Sequence, residues 1–418
     1  MRILMLGWEL PPHNSGGLGV ACYHLAKALS SHGVAIDFVL PKRLTGYPDA
    51  DFMNVLAVDD EIGPQDQPKP SRAASNRKLP SAYAGVCHIC NSRGDCPHGA
   101  LQDVFGLQQD YRHYVKRLIA KRRPDVIHAH DWLTLEAGMA AKELSGAPLI
   151  AHIHATEFDR AAGNHGNPII HDIEQTGLMM ADRIIAVSQA TKNLIVERYQ
   201  IPADKIEVIH NSAAALVDLS TVEAVQYSYL KAMQAEGYLV VSTIGRLTMQ
   251  KGLNFFLEAA AKANARLERF VFVIAGDGEL RDELIELSAS LGIADKVIFL
   301  GFIRGAAWRM MYEVSDVFVM SSVSEPFGLT ALEAAQCSTA ISLTKQSGVA
   351  EILTNALHYD YWDVDKLADQ LVNLAGSVSL KGELADNAKL EVGSLSWDQT
   401  AKRLIGSYQQ LTPGVAHV

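Results

Sequence analysis

Two carboxylates, Glu325 and Glu333, stand eight positions apart in the run Glu325-Pro326-Phe327-Gly328-Leu329-Thr330-Ala331-Leu332-Glu333. A Pro-Phe-Gly turn follows the first and opens a helical pattern. The short apolar run Asp316-Val317-Phe318-Val319-Met320 ahead of it is of strand type. Glu325 is therefore expected on the loop that leaves a strand's carboxyl end. The N–H groups around Gly328, Leu329 and Thr330 would begin a helix without carbonyl partners, which is where phosphate groups bind. Glu333, eight residues after Glu325, points toward whatever that phosphate carries, and a carboxylate accepts hydrogen bonds from sugar hydroxyls. The chemistry implied is a clamp for a sugar nucleotide.

Further groups stand where other strands end. In Gly245-Arg246-Leu247-Thr248-Met249-Gln250-Lys251-Gly252 a guanidinium fork and an ammonium point charge are both within reach of a phosphate pair, which suits a departing nucleoside diphosphate. Near the N-terminus, Trp8-Glu9-Leu10-Pro11-Pro12-His13-Asn14-Ser15-Gly16-Gly17-Leu18-Gly19 joins a strand to a helix. Its paired glycines let backbone amides approach a diphosphate, although the loop is neither a Walker A sequence nor a good dinucleotide fingerprint. His128-Ala129-His130-Asp131-Trp132 and His152-Ile153-His154-Ala155-Thr156 end two more strands, and alternation puts each histidine pair on one face. Packing plus one cleft-facing histidine is favoured there over zinc ligation; a neutral imidazole can hold a sugar hydroxyl, and Asp131 can orient an acceptor hydroxyl. Cys87, Cys90, Cys96 and His98 gather four soft ligands within twelve residues. They fit a structural Cys3His zinc site as well as they fit free thiols in a loop. Cys22 and Cys337 fall inside helical patterns and read as packing residues.

The elements that must position these groups alternate strand and helix almost throughout, the pattern of parallel sheets covered on both faces. One series of strands is expected at Ile3 to Leu6, Val34 to Leu40, Asp125 to His130, Leu149 to His154, Arg183 to Val187 and Ile206 to His210. A second begins at Leu239 to Ile244 and continues through Phe270 to Ile274, Val297 to Leu300, Asp316 to Met320 and Thr339 to Leu343. Two Rossmann-like domains facing a cleft are expected, 1–215 on the acceptor side and 216–395 binding the nucleotide sugar, with 396–418 as a C-terminal helix and tail. A Pro- and Cys-rich insertion, about 42–106, shows little periodicity and is expected as a long loop.

A chain of 418 residues with 48% hydrophobic content holds ample cores for two domains. Its formal charge of −10 argues against nucleic acid or an anionic membrane surface as the main partner. Lys116 to Arg123 reads as a solvated helix face. No window approaches the 18 uninterrupted apolar residues of a transmembrane span. The opening strand runs straight into a glycine loop with no small-residue cleavage site, so a cytoplasmic protein is expected.

Taken in order, these motifs resemble the retaining glycosyltransferases of the GT-B fold, in particular family 4 and the related bacterial glycogen and starch synthases. The resemblance rests on Gly16-Gly17-Leu18-Gly19, His128-Ala129-His130-Asp131-Trp132, Ile153-His154-Ala155, Gly245-Arg246-x4-Lys251-Gly252, Gly276-Asp277-Gly278 and the Glu325-to-Glu333 run. It implies that Arg246 and Lys251 bind the donor diphosphate, Glu325 the donor sugar and Glu333 the ribose. Gly16, Gly17, Gly276 and the amides of Gly328, Leu329 and Thr330 would complete the donor site. It further implies that His154 contacts the transferred sugar, that Asp131 and Glu9 line the acceptor side, and that the C-terminal helix crosses back to the first domain. The expected reaction moves a hexosyl unit, glucose, from UDP or ADP to a saccharide such as an α-glucan. No metal is needed for transfer, and the phosphate oxygen assists deprotonation on the same face. An epimerase or phosphorylase on the same fold, or a non-catalytic nucleotide-sugar-binding protein, are the competing readings; the latter would be expected to lack Glu325, Lys251 or His154.

Overall fold

The computed structural model describes residues 1–13, 16–42, 50–61, 100–214, 219 and 227–413. Two parallel sheets carry the chain. The first contains β1 (Arg2–Leu6), β2 (Ala35–Leu40), β3 (Asn54–Ala57), β4 (Val126–His130), β5 (Leu149–Ile153), β6 (Arg183–Ala186) and β7 (Ile206–Val208), in the order β3-β2-β1-β4-β5-β6-β7. The second contains β8 (Leu239–Ile244), β9 (Phe270–Ala275), β10 (Val297–Gly301), β11 (Val317–Met320), β12 (Ala340–Thr344) and β13 (Leu357–Tyr359), in the order β10-β9-β8-β11-β12-β13. Each sheet reverses its winding direction once, between β1 and β4 and between β8 and β11. Such switch points leave a crevice at the strands' carboxyl ends, where these folds take ligands.

Central strands read as unbroken apolar runs because helices cover both faces. Ile3 sits between Ile36 and Val126, and Val317 between Val241 and Ala340. Contacts divide the chain into one unit of Met1–Arg160, Asn164–His210 and Trp397–Val418, and another of Asn211–Ser396 with Ala161–Gly163. The first unit is closed by its own C-terminal segment. The helix Trp397–Leu411 buries Ala401, Leu404 and Tyr408 in the core with Leu25, Leu29 and Phe38. The Tyr408 hydroxyl lies 2.7 Å from Nδ1 of His128, and Thr400 Oγ1 donates to the carbonyl of His210 at 3.0 Å.

The long loop expected over 42–106 is corrected at two places. Residues 54–57 form β3, whose Val55 lies opposite Phe38 and whose Ala57 is fully buried, and the helix Ala100–Lys121 is already under way before residue 106. The strand adds the edge of the sheet, and the helix packs on that beginning at Trp132. Two short segments were not expected: β3 itself and β13. Among the described residues no helix is long and apolar enough to cross a membrane.

Candidate active site

In the second unit the loops after β8 and β11 brace each other. The amide of Val323 donates to the Gln250 carbonyl at 2.9 Å, Gln250 Nε2 to the Ser324 carbonyl at 3.0 Å, and Ser321 Oγ to the Lys251 carbonyl at 2.9 Å. Gly252 makes the close approach possible: its φ is 58°, and a Cβ there would lie 2.3 Å from the Ser321 carbonyl oxygen. Glu325 is pinned by its backbone, which donates to Gln346 at 3.0 Å and accepts from Gly348 at 2.8 Å. Its carboxylate then meets the Lys251 ammonium through Oε2, with Ser322 Oγ on the same oxygen at 3.2 Å. Arg246, Lys251, Ser322, Glu325 and Thr330 line one shallow pocket. The floor is apolar, with Phe318 and Met320. An opposed cation and anion on such walls can neutralise a phosphate and hold a hydroxyl side by side.

The helix Leu329–Gln336 follows directly. Gly328 enters it at φ 111° and supplies no side-chain cap, so its first amides keep no partner of that kind. One turn in, Oε2 of Glu333 accepts from Trp308 Nε1 at 3.0 Å and from the Tyr312 hydroxyl at 3.2 Å. Burial pushes this carboxyl up to about 7, and the two donors only partly offset it. Gly276 serves close packing: a Cβ would stand 1.7 Å from the Gly245 carbonyl oxygen, and its amide already donates to Gly301 at 2.8 Å.

In the first unit four imidazoles stack where β4 and β5 lie side by side. His128 and His130 centroids are 4.4 Å apart, and those of His152 and His154 4.3 Å. Burial holds all four neutral, with His128 and His154 each lowered to about 3. Asp131 follows β4 with φ 57° and ψ 174°, a backbone region that non-glycine residues pay for. The return is that its Oδ1 accepts from the amides of His154 at 2.7 Å and Ala155 at 3.3 Å, and so aims the loop after β5. Burial raises Asp131 to about 7 against the pull of Arg160 and these amides. Glu9 is likewise buried, on the loop after β1, and Gly16 and Gly17 open the helix Gly17–Ser31 without a side-chain cap.

Sequence reasoning missed the charges beneath that loop. Arg160 donates to Glu157 at 3.0 Å, to Glu174 at 2.5 Å and to the Ala155 carbonyl at 2.9 Å; its side chain is 7% exposed and theirs 1% and 2%. The Tyr199 hydroxyl also donates to Glu174. Only the polar run Glu157-Phe158-Asp159-Arg160 directly after a strand end signals this network. The structure thus brings Arg246, Lys251, Glu325 and Thr330 to one pocket, places Gly328, Leu329 and Glu333 on the adjoining helix, and joins Asp131 to His154 in the first unit. Cys87, Cys90, Cys96 and His98 lie outside the described residues.

Comparison with known proteins bears on the family and the fold. The family described as glycosyl transferases group 1 matches residues 226–389, and glycosyltransferase family 4 matches residues 15–213. An uncharacterized glycosyltransferase of Methanocaldococcus jannaschii is 28% identical, over 98% of both chains. A glycogen synthase of Mycobacterium tuberculosis is 27% identical over 85% of this chain and 80% of its own. A D-inositol 3-phosphate glycosyltransferase of Salinispora arenicola is 30% identical over 68% of each. Among solved structures, sucrose-phosphate synthase from Thermosynechococcus elongatus superposes with a TM-score of 0.75 at 18% identity, covering 99% of this chain and 100% of that one. Anabaena HepE, solved with UDP and glucose, gives 0.65 at 18% identity, covering 98% and 100%.

Proposed function

The chain belongs to the family 4 type of GT-B glycosyltransferases, and from that premise we propose that it moves glucose from a nucleoside diphosphate to a carbohydrate acceptor with retained anomeric configuration. The observation that carries the reading is the pocket where Arg246, Lys251, Glu325 and Thr330 meet. Arg246 and Lys251 take the diphosphate, Glu325 accepts from the sugar's hydroxyls, the amides of Gly328 to Thr330 face the distal phosphate, and Glu333 holds the ribose. The bond from the anomeric carbon to the phosphate oxygen breaks, and its electron pair leaves with the diphosphate. The acceptor oxygen bonds on the same face and passes its proton to that phosphate oxygen. The two cations offset the charge that develops as the diphosphate departs. His154 is assigned to the transferred sugar, and Asp131 and Glu9 to the acceptor side. The UDP and glucose of the Anabaena structure support a UDP-linked donor, and the glycogen synthase relative supports an α-glucan acceptor.

Incubation with UDP- or ADP-glucose and a maltooligosaccharide is expected to lengthen the acceptor with an α-linkage visible by proton NMR. If neither hydrolysis nor transfer is seen with any nucleotide sugar tried, the reading fails. Glu333 adds a pH signature. Ribose hydroxyls donate to the ionised carboxylate, so donor kcat/KM should rise about tenfold between pH 6 and 8, following the fraction ionised, because the group is raised to about 7. Glu333→Gln should flatten that rise; a profile that keeps its shape in the variant removes Glu333 from the donor site.

A further inference from the structure

The histidine stack has a neighbour that its own strands do not supply. Cys22, on the helix Gly17–Ser31, is fully buried, and one ligand atom each from Cys22, His130 and His154 lies within 4.8 Å of the others. We propose that Cys22, His130 and His154 form a binding site for a borderline-soft divalent cation, of the zinc or cobalt kind.

A thiolate and two imidazoles are the donors such ions select. Nδ1 of His130 and Nε2 of His154 are 3.0 Å apart, close to the roughly 3.3 Å that separates two nitrogens on a tetrahedral zinc. To join that shell the Cys22 sulfur, now within 4.8 Å of the two imidazole ligand atoms, has to move closer to them. The stack contains a second triad, His128, His130 and His152, whose ligand atoms are equally near. It is the weaker site, because three neutral imidazoles at 0% exposure offer a divalent ion nothing to balance its charge. Cys22 instead supplies a sulfur that becomes a thiolate on binding by giving up its proton to solvent; burial first, and then Asp131 and Glu9, raise the thiol's pKa, so the ion has to displace that proton. Asp131 is also tied to the site through the backbone, since its Oδ1 holds the His154 amide. His130 ends β4 and His154 follows β5, so the site sits at the sheet's carboxyl edge. A cation there would occupy the imidazole of His154; inhibition of transfer is the consequence, and that part rests on the function proposed above.

The test uses the full chain with Cys87, Cys90 and Cys96 replaced by serine, so that no thiolate of that segment competes. Titration with Co2+ should bind one equivalent and give the intense near-ultraviolet absorption of a thiolate-to-cobalt transition. Cys22→Ser should abolish that absorption while circular dichroism stays unchanged. Absence of stoichiometric binding, or an undiminished band in Cys22→Ser, overturns the proposal. Should Cys22→Ser misfold, X-ray absorption of the zinc-loaded parent decides: one sulfur and two nitrogens are expected, and a shell without sulfur refutes the site. None of these readouts depends on turnover, so a failed transferase assay leaves them intact.

Discussion

Lys251→Ala and Glu325→Ala are each expected to lower kcat/KM by about 10²–10³, the usual size of one preorganised electrostatic contact to a developing charge. The reason lies in the pairing. The ammonium and carboxylate meet across the pocket, and each belongs to a loop that the other loop holds through Gln250, Ser321 and Gly252. When a donor arrives, the ammonium has a phosphate to neutralise and the carboxylate a hydroxyl to accept from. Truncating either leaves its partner aimed at the wrong group. The double variant should therefore cost little more than the worse single one, because residues that act as a unit are far from additive. Circular dichroism should be unchanged throughout, since both side chains are part-buried on loops and neither fills the core. Near-normal turnover in either single variant, measured on purified folded protein, would remove the pocket from the reaction. Fully additive losses would leave the residues important but refute the coupling.

Arg160→Met is expected to destabilise the first unit by about 3–5 kcal/mol, the cost of stranding buried charge when one partner of an ion pair is removed. Arg160 lies between Glu157 and Glu174, all three nearly without solvent contact. A methionine fills similar volume but brings no charge. The loss should depend on pH in a definite direction. Burial already raises Glu174 above its ordinary value, and Arg160 is the largest influence opposing that rise. Without the guanidinium the folded state holds the Glu174 proton more tightly still. The folded chain then binds more protons than the unfolded one, so stability falls as pH rises above the ordinary glutamate range. Urea unfolding at pH 5 and pH 8 checks this: the variant's deficit should be larger at pH 8. A deficit that is equal at both, or smaller at pH 8, would mean that the carboxylates are not the groups left uncompensated. The loop of His154 should loosen as well, because Arg160 also holds the Ala155 carbonyl.

These two cases mark where the sequence could and could not be read. Lys251 and Glu325 were legible because each sits just past an apolar run that ends in glycine or proline punctuation. In a doubly wound fold that position has a fixed meaning. Long, fully buried strands such as β8 announced themselves for the same reason. By contrast, β3 and β13 are four and three residues long, sit at sheet edges and are only half-buried for the most part, so no period could build up in them. The Arg160 network was hidden by a general rule working against itself. Charged side chains are nearly always exposed, and Glu174 stands fourteen positions from Arg160 with nothing between them to mark a pair. Asp131 was picked out for its carboxylate, yet one of its oxygens serves the backbone of the next loop. Gly276 was picked out as a glycine that a phosphate might need, whereas the contact that forbids a side chain there is another turn's carbonyl.

The return of the helix Trp397–Leu411 to the first unit bears on the order in which the molecule is made. Residues 211–396 of the second unit follow one another without interruption, so that half can fold as it leaves the ribosome. The first unit cannot be completed then, because Leu404 and Tyr408, which belong to its core, are translated only after the whole of the second unit. Tyr408 meets His128 across 280 positions of chain. The half synthesised first must wait on the ribosome with part of its apolar surface uncovered, and a chain cut short before Trp397 would release it in that state.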